Sequence, residues 1–162
     1  MMKILTTILS IFFVFSCNGP SDSGFHLDPS KAVEVGIVSI EENTPGNHTI
    51  QVYMINHQPV SGVQFKIDPN TFFDIENVSG GRCEANNFQL HNNKKGTILG
   101  FSISGDSIPE SNSSKKEDNI LFSITAKSIK QINSPITLSP IIASSEAKKI
   151  DCVSVPFELI GK

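Results

Sequence analysis

Four histidines and three cysteines are the side chains of this chain best suited to nucleophilic, acid–base or metal chemistry. His26 lies in a Gly, Pro and Ser segment, His48 and His57 in turns, and His91 at a strand end. No two of them share an element at metal-ligand spacing, so they read as solvated polar groups. The stretch NHQPVSGVQFKIDP, residues 56–69, places His57 and Asp68 at its two ends and raises the idea of a His–Asp pair. Between them Val63, Phe65 and Ile67 alternate with Gln64 and Lys66, which is the pattern of a half-buried strand. His57 and Asp68 then become the turns that flank that strand. Asp68, Asp74 and Glu76 are close enough in sequence to offer oxygens to a calcium ion. The simpler account has Asp68 capping a turn before Pro69, with the other two on an exposed strand face. Gly62 reads as a backbone requirement at a bend or bulge. The chain has no G-x-S-x-G elbow, no H-E-x-x-H and no Gly-rich phosphate loop. No catalytic residue, metal or cofactor is assigned, and the protein is read as a non-enzyme.

The first cysteine closes a different kind of motif. MMKILTTILSIFFVFSC has one early cation, Lys3, an apolar run from Ile8 to Phe15, then Ser16 and Cys17, the layout of a secretory signal peptide. Val14-Phe15-Ser16-Cys17 resembles the lipobox of bacterial lipoproteins, which implies cleavage before Cys17 and lipidation of its sulfur. Plain secretion and an uncleaved anchor are the alternatives. The organisation expected is a signal peptide over 1–16, a lipidated Cys17 with a flexible tether to residue 30, and one domain over 31–162. The expected place is the bacterial cell envelope, outside the cytoplasm, at the outer membrane or cell surface. Cys83 and Cys152 remain. In an oxidising compartment they are a candidate disulfide closing a loop of about 70 residues, worth on the order of 4 kcal/mol; the alternative is two separate thiols.

Leaving out Lys3, 12 basic residues face 16 acidic ones with no basic cluster, which argues against a nucleic-acid partner. Arg82 is the sole arginine. There is no Trp and one Tyr. That residue, Tyr53, alternates with Val52 and Met54 and is expected to be exposed, a thin platform for sugar recognition.

Short apolar runs alternate with turn signals from Lys31 onward. Val33, Val35 and Ile37 begin the series, and Ile50, Val52 and Met54 follow the turn Thr44-Pro45-Gly46-Asn47. The strand at 63–67 comes next, then an extended run over 72–78 that Gly80-Gly81 breaks. Phe88 and Leu90 form a short strand, with Leu99, Phe101 and Ile103 expected inward on the one after it. Residues 109–118, PESNSSKKED, read as a loop that buries nothing. Ile120 to Ala126, Ile136 to Ile142 and Val153 to Leu159 complete about nine strands. That pattern predicts an all-β sandwich or barrel rather than βαβ units.

The run AVEVGIVSIEENTPGNHTIQVYMINHQPVSGVQFKIDPNTFFDIENV, residues 32–78, resembles the first half of a cohesin domain, with PVSGVQFKIDP its most specific part. GTILGFSISGDSIPE at 96–110 is similar to the family's sixth strand and following turn. NILFSITAKS at 119–128 and ITLSPIIASSEAKKIDCVSVPFELI at 136–160 are similar to its closing strands. The resemblance implies a nine-stranded jelly-roll sandwich and a non-catalytic module that docks a protein partner, of dockerin type in the best known members. It implies a face built from residues 63–67, 87–91 and 98–104, with Gln64, Lys66, Gln89, Ser102 and Ser104 pointing outward. A carbohydrate-binding module that takes a polysaccharide, and an accessory subunit of an envelope assembly, are the other readings.

Overall fold

A computed structural model of the protein describes residues 32–158. The signal peptide, Cys17, the tether and the domain's expected first residue, Lys31, lie outside the described residues. Strands form where alternation allows one side of the backbone to be buried. β1 is Val33–Thr44, β2 Asn47–Asn56, β3 Gly62–Asp68, β4 Phe73–Ser79 and β5 Gln89–Asn92. β6 is Thr97–Phe101, β7 Ile120–Ser128, β8 Thr137–Ala143, β9 Lys149–Ile150 and β10 Cys152–Val155. They make two five-stranded sheets, β10-β1-β2-β7-β4 and β5-β6-β3-β8-β9. The all-β jelly-roll reading holds, and the strand beyond the nine expected is the two-residue β9, which pairs with the end of β8.

The core lies between the sheets. Val33 and Val35 of β1, Ile50, Val52 and Met54 of β2, and Phe122 and Ile124 of β7 point into it from the first sheet. Val63, Phe65 and Ile67 of β3, Ile98 of β6, and Leu138 and Ile142 of β8 meet them from the second. Phe65 and Phe122 meet edge to face across the gap, ring centroids 5.4 Å apart, an arrangement that adds to area burial.

Three local expectations are corrected. Leu99 and Ile103 are 42% and 73% exposed, Phe101 is half-buried, and Ile98 and Gly100 face inward instead. A one-residue register choice swaps the faces of a strand, and here the inner slot decides it. A Cβ on Gly100 would lie 2.8 Å from Val63 Cγ2 and 3.0 Å from Leu90 Cδ2, so Phe101 cannot occupy that side. Gly62 marks no bend or bulge, since β3 pairs with β6 and β8 through it without a register shift. A Cβ there would meet only the Cβ of Ala143, at 3.7 Å.

Gly80-Gly81 ends the extended run, as expected, and opens a short helix, α1, at Gly81–Ala85. Gly81 has φ +63°, and a Cβ on it would come within 2.5 Å of the Leu121 carbonyl oxygen, so only glycine lets the chain press against β7 as it crosses between sheets.

The third correction is the disulfide: Cys83 and Cys152 are not bridged. Cys83 sits in α1 against β7, while Cys152 opens β10 at the far edge of the same sheet, with β1 and β2 between. Three strand spacings amount to about 14 Å, twice the roughly 7 Å that a disulfide spans between Cα atoms.

Candidate functional site

The outer surface of the second sheet is flat and open. Register places His91, Leu99, Gln64 and Ile141 side by side across β5, β6, β3 and β8. The neighbouring row is Gln89, Phe101, Gly62 and Ala143, and on the other side Thr97, Lys66 and Ser139 line up. Four strands span about 15 Å and the length of β3 about 20 Å. Leu99 and Ile141 are 42% and 49% exposed, and the His91 ring stacks on Phe101 at 5.7 Å. Lys66 is the only Asp, Glu, Lys or Arg side chain in these three rows across β5, β6, β3 and β8, and Lys149 of β9 stands next to Ala143 at the sheet's edge. The result is an apolar strip with a polar border, and Gly62 leaves a shallow dip between Phe101 and Ala143.

The sequence-derived face residues divide into two groups. Gln64 and Lys66 stand exposed on β3, and Gln89 stands exposed on β5. Ser102 and Ser104 fall beyond the last residue of β6, in a turn where both hydroxyls donate to Asp106. Asn87 donates to the same carboxylate from 3.1 Å. The Ser104 hydroxyl, with the Asn87 amide and Ser102 hydroxyl, holds the Asp106 carboxyl below the usual range. These serines fix the turn whose tip, Ile103, projects beside the apolar strip. Leu99, Phe101 and Ile141 escaped the sequence reading, because Leu99 and Phe101 were assigned to the core and Ile141 reads as one of two adjacent isoleucines.

The outer surface of the first sheet is closed over at one end. Tyr53 and Ile55 of β2 are buried there, with the half-buried Val38 of β1 and Val153 of β10 packed against them, a small apolar cluster separate from the main core. Tyr53 is therefore not the exposed ring that alternation predicts. Gly36 opposes it, and a Cβ on Gly36 would lie 2.7 Å from the ring. The Tyr53 hydroxyl donates to Glu34 Oε1 at 2.6 Å, and Glu34 is fully buried. Burial pushes the Glu34 carboxyl above its ordinary range, against smaller opposing effects of the Tyr53 hydrogen bond and Lys116.

The cover comes from the segment between β6 and β7. Ile108 forms a bridge with Val60, the Ser111 amide donates to the Asn56 carbonyl at 2.8 Å, and Lys116 Nζ lies 5.1 Å from the Tyr53 ring centroid. Residues 109–118 are thus a strap and not an idle loop. Arg82 Nη1 shares its two N–H groups among the carbonyl of Met54, Asn56 Oδ1, Ser111 Oγ and Asn119 Oδ1, all 2.8 to 3.3 Å away, while Nη2 donates to the Pro109 carbonyl. Asn119 closes the other end by donating to the carbonyls of Ser113 and Lys115. One guanidinium thereby joins α1, the end of β2 and both ends of the strap.

The groups that suggested chemistry stay apart. His57 precedes β3 and Asp68 ends it, separated by about 20 Å of strand. Asp74 and Glu76 lie on β4, and Glu76 pairs with Lys127 at 2.7 Å. Among the described residues no group of three or more His, Cys, Asp and Glu is placed to hold a metal ion. Burial pushes the Cys83 thiol up to about 12, which keeps it from acting as a thiolate near neutral pH.

No family model matches the chain, and no curated protein does. Solved structures do. A chain of the CaDoc0917–CaCohA2 complex aligns with TM-score 0.52 and 14% identity, over 75% of this chain and 95% of its own. The non-cellulosomal cohesin of Archaeoglobus fulgidus aligns equally well, TM-score 0.52 and 14% identity, over 76% and 89%. A third, the R. flavefaciens ScaB cohesin crystallised with a group 1 dockerin, gives TM-score 0.46 and 10% identity over 77% and 91%. The fold is a cohesin-like jelly-roll sandwich.

Replacing Arg82 tests the seam. Arg82→Ala leaves Asn119 Oδ1 without a described donor and removes one of the donors to Met54, Asn56 and Pro109, and is expected to cost about 2 kcal/mol or more in urea unfolding. Arg82→Lys recovers less than half of that, because one ammonium cannot bridge the same acceptors. Equal stability of wild type and Arg82→Ala would show the contacts to be dispensable.

Proposed function

We propose that this chain is a non-catalytic docking module that binds a protein partner, of dockerin type, on the outer surface of β5, β6, β3 and β8. The observation that carries this reading is the apolar strip of Leu99, Phe101 and Ile141 with its border of Gln64, Lys66, Gln89 and His91. An exposed apolar patch rimmed by polar groups is the usual mark of a protein interface. The cohesin-like fold, shared with the CaDoc0917–CaCohA2 complex, supports it. Sugar recognition has less support, since Tyr53 is buried and Phe101 is the only ring in those rows besides His91.

In this reading Cys17 carries lipid, residues 18–30 are the tether, and the module stands outside the cytoplasm in the cell envelope. Labelling growing cells with palmitate tests the anchor: label is expected in wild type and not in Cys17→Ser, and an unlabelled wild type contradicts it.

Calorimetry against a panel of dockerin modules tests the face. A partner that binds wild type should bind Leu99→Asp and Ile141→Asp at least about 30-fold more weakly, the roughly 2 kcal/mol of an interface hot spot. Undiminished binding by both variants would move the interface elsewhere. Retention of polysaccharide with no response to any dockerin would replace the reading.

A further inference from the structure

The turn after β6 carries a side chain for which the packing of the sandwich has no use. Ile103 is the most exposed large apolar side chain among the described residues. It stands two residues beyond Phe101, the last residue of β6, so the two Cα atoms are within about 7 Å of each other. Ile103 and Ser104 are the central pair of a four-residue turn that the Gly105 amide closes by donating to the Ser102 carbonyl at 3.4 Å. Gly105 follows at φ +80°, a conformation that glycine takes without strain. An isoleucine at such a tip gains no burial from the fold.

Both flanks of the turn are fastened. Toward β5, the Ser102 and Ser104 hydroxyls and the Asn87 amide all donate to Asp106 Oδ2, and Asn87 lies two residues before β5 begins. Toward β3, the Ser61 and Ser107 hydroxyls are hydrogen-bonded at 2.6 Å. Val60 and Ile108 exchange both backbone hydrogen bonds, at 3.0 and 2.7 Å, just before β3 opens at Gly62. The turn is thus pinned at the ends of β5, β6 and β3, beside the row of Gln89, Phe101, Gly62 and Ala143. A tip already held in one place loses little freedom when a partner covers it, which is how preorganisation raises affinity.

We propose that Ile103 is a second anchor of the docking surface: the protein partner that covers Leu99 and Ile141 carries an apolar hollow beside that contact, Ile103 fills it, and Asp106 is the positioning residue that presents it. The inference rests on the docking function proposed above and adds the part of the partner that faces the turn. Continuity with the strip carries it. Leu99, Phe101 and Ile103 follow one another at every second position, with the half-buried Phe101 between two exposed neighbours. An occupant that reaches along β6 from Leu99 past Phe101 meets Ile103 next.

Calorimetry of the full chain against the dockerin modules tests this, with Leu99→Asp as the reference variant. Ile103→Ala should bind the module that wild type binds about tenfold more weakly, with an unchanged urea midpoint because its side chain is exposed. Asp106→Ala should weaken binding several-fold in the wild-type background and have no further effect in the Ile103→Ala background, the coupling that a double-mutant cycle reads. If Leu99→Asp weakens binding while Ile103→Ala binds as wild type does, the inference is overturned and the docking function stands. An Asp106→Ala loss of the same size in both backgrounds, or none in either, overturns the positioning role. If no dockerin module binds, or Leu99→Asp and Ile141→Asp both bind in full, the docking function falls and this inference with it.

Discussion

The guanidinium of Arg82 is the contact on which the rest of this sandwich depends. Five acceptors from α1's surroundings, the end of β2 and the β6–β7 strap converge on it. Asn119 Oδ1 takes no other described hydrogen bond, while Met54, Asn56, Ser111 and Pro109 are also joined to one another through the Ser111 hydroxyl and the Asn56 amide groups; a buried acceptor left unmade costs about 1 to 3 kcal/mol. The planar fork sets Nη1 among four of these acceptors and Nη2 on the fifth, a spread that a single ammonium nitrogen cannot cover. The corner it closes is where the chain leaves the first sheet through α1 and returns to it through the strap, so the relation between the sheets is set there.

That seam also explains why the two outer surfaces differ. On the first sheet the strap is held across the end of β1 and β2, and Tyr53, Ile55 and Val153 become a second small core. On the second sheet nothing comparable crosses the described surface of β5, β6, β3 and β8. Leu99 and Ile141 remain in water there, about 1 kcal/mol of unrealised burial each at roughly half exposure. The first sheet thus gains buried area from its cover, while the second sheet's apolar strip stays in water.

Much of this was legible in the sequence. Strict alternation in β3 gave Val63, Phe65 and Ile67 to the core and Gln64 and Lys66 to the surface, and the spacing of turns gave the sandwich. The failures share a cause, which is that alternation says which residues share a side and not which side is inside. In β6 the set Leu99, Phe101 and Ile103 has more apolar bulk than Ile98 and Gly100, yet Val63 and Leu90 leave room only for glycine. In β2 Tyr53 is on the outer side, as its parity requires, and is buried only because a distant segment folds over it. The roles of Arg82 and of residues 109–118 belong to the same class: they arise from contacts between positions 26 to 57 apart in sequence, which no local pattern encodes. The Cys83 and Cys152 pairing rested on compartment and number alone, and the sheet order separates them.

The central claim is that the second sheet's outer surface is the place of docking. Hydrogen exchange of the full chain, free and saturated with a dockerin module that binds it, maps the footprint directly. The account predicts slowed exchange confined to residues 62–66, 89–92, 97–104 and 139–143, with the amides of β1, β2 and β7 unchanged. Protection centred on β1, β2 and the strap, with the second sheet unaffected, would contradict it.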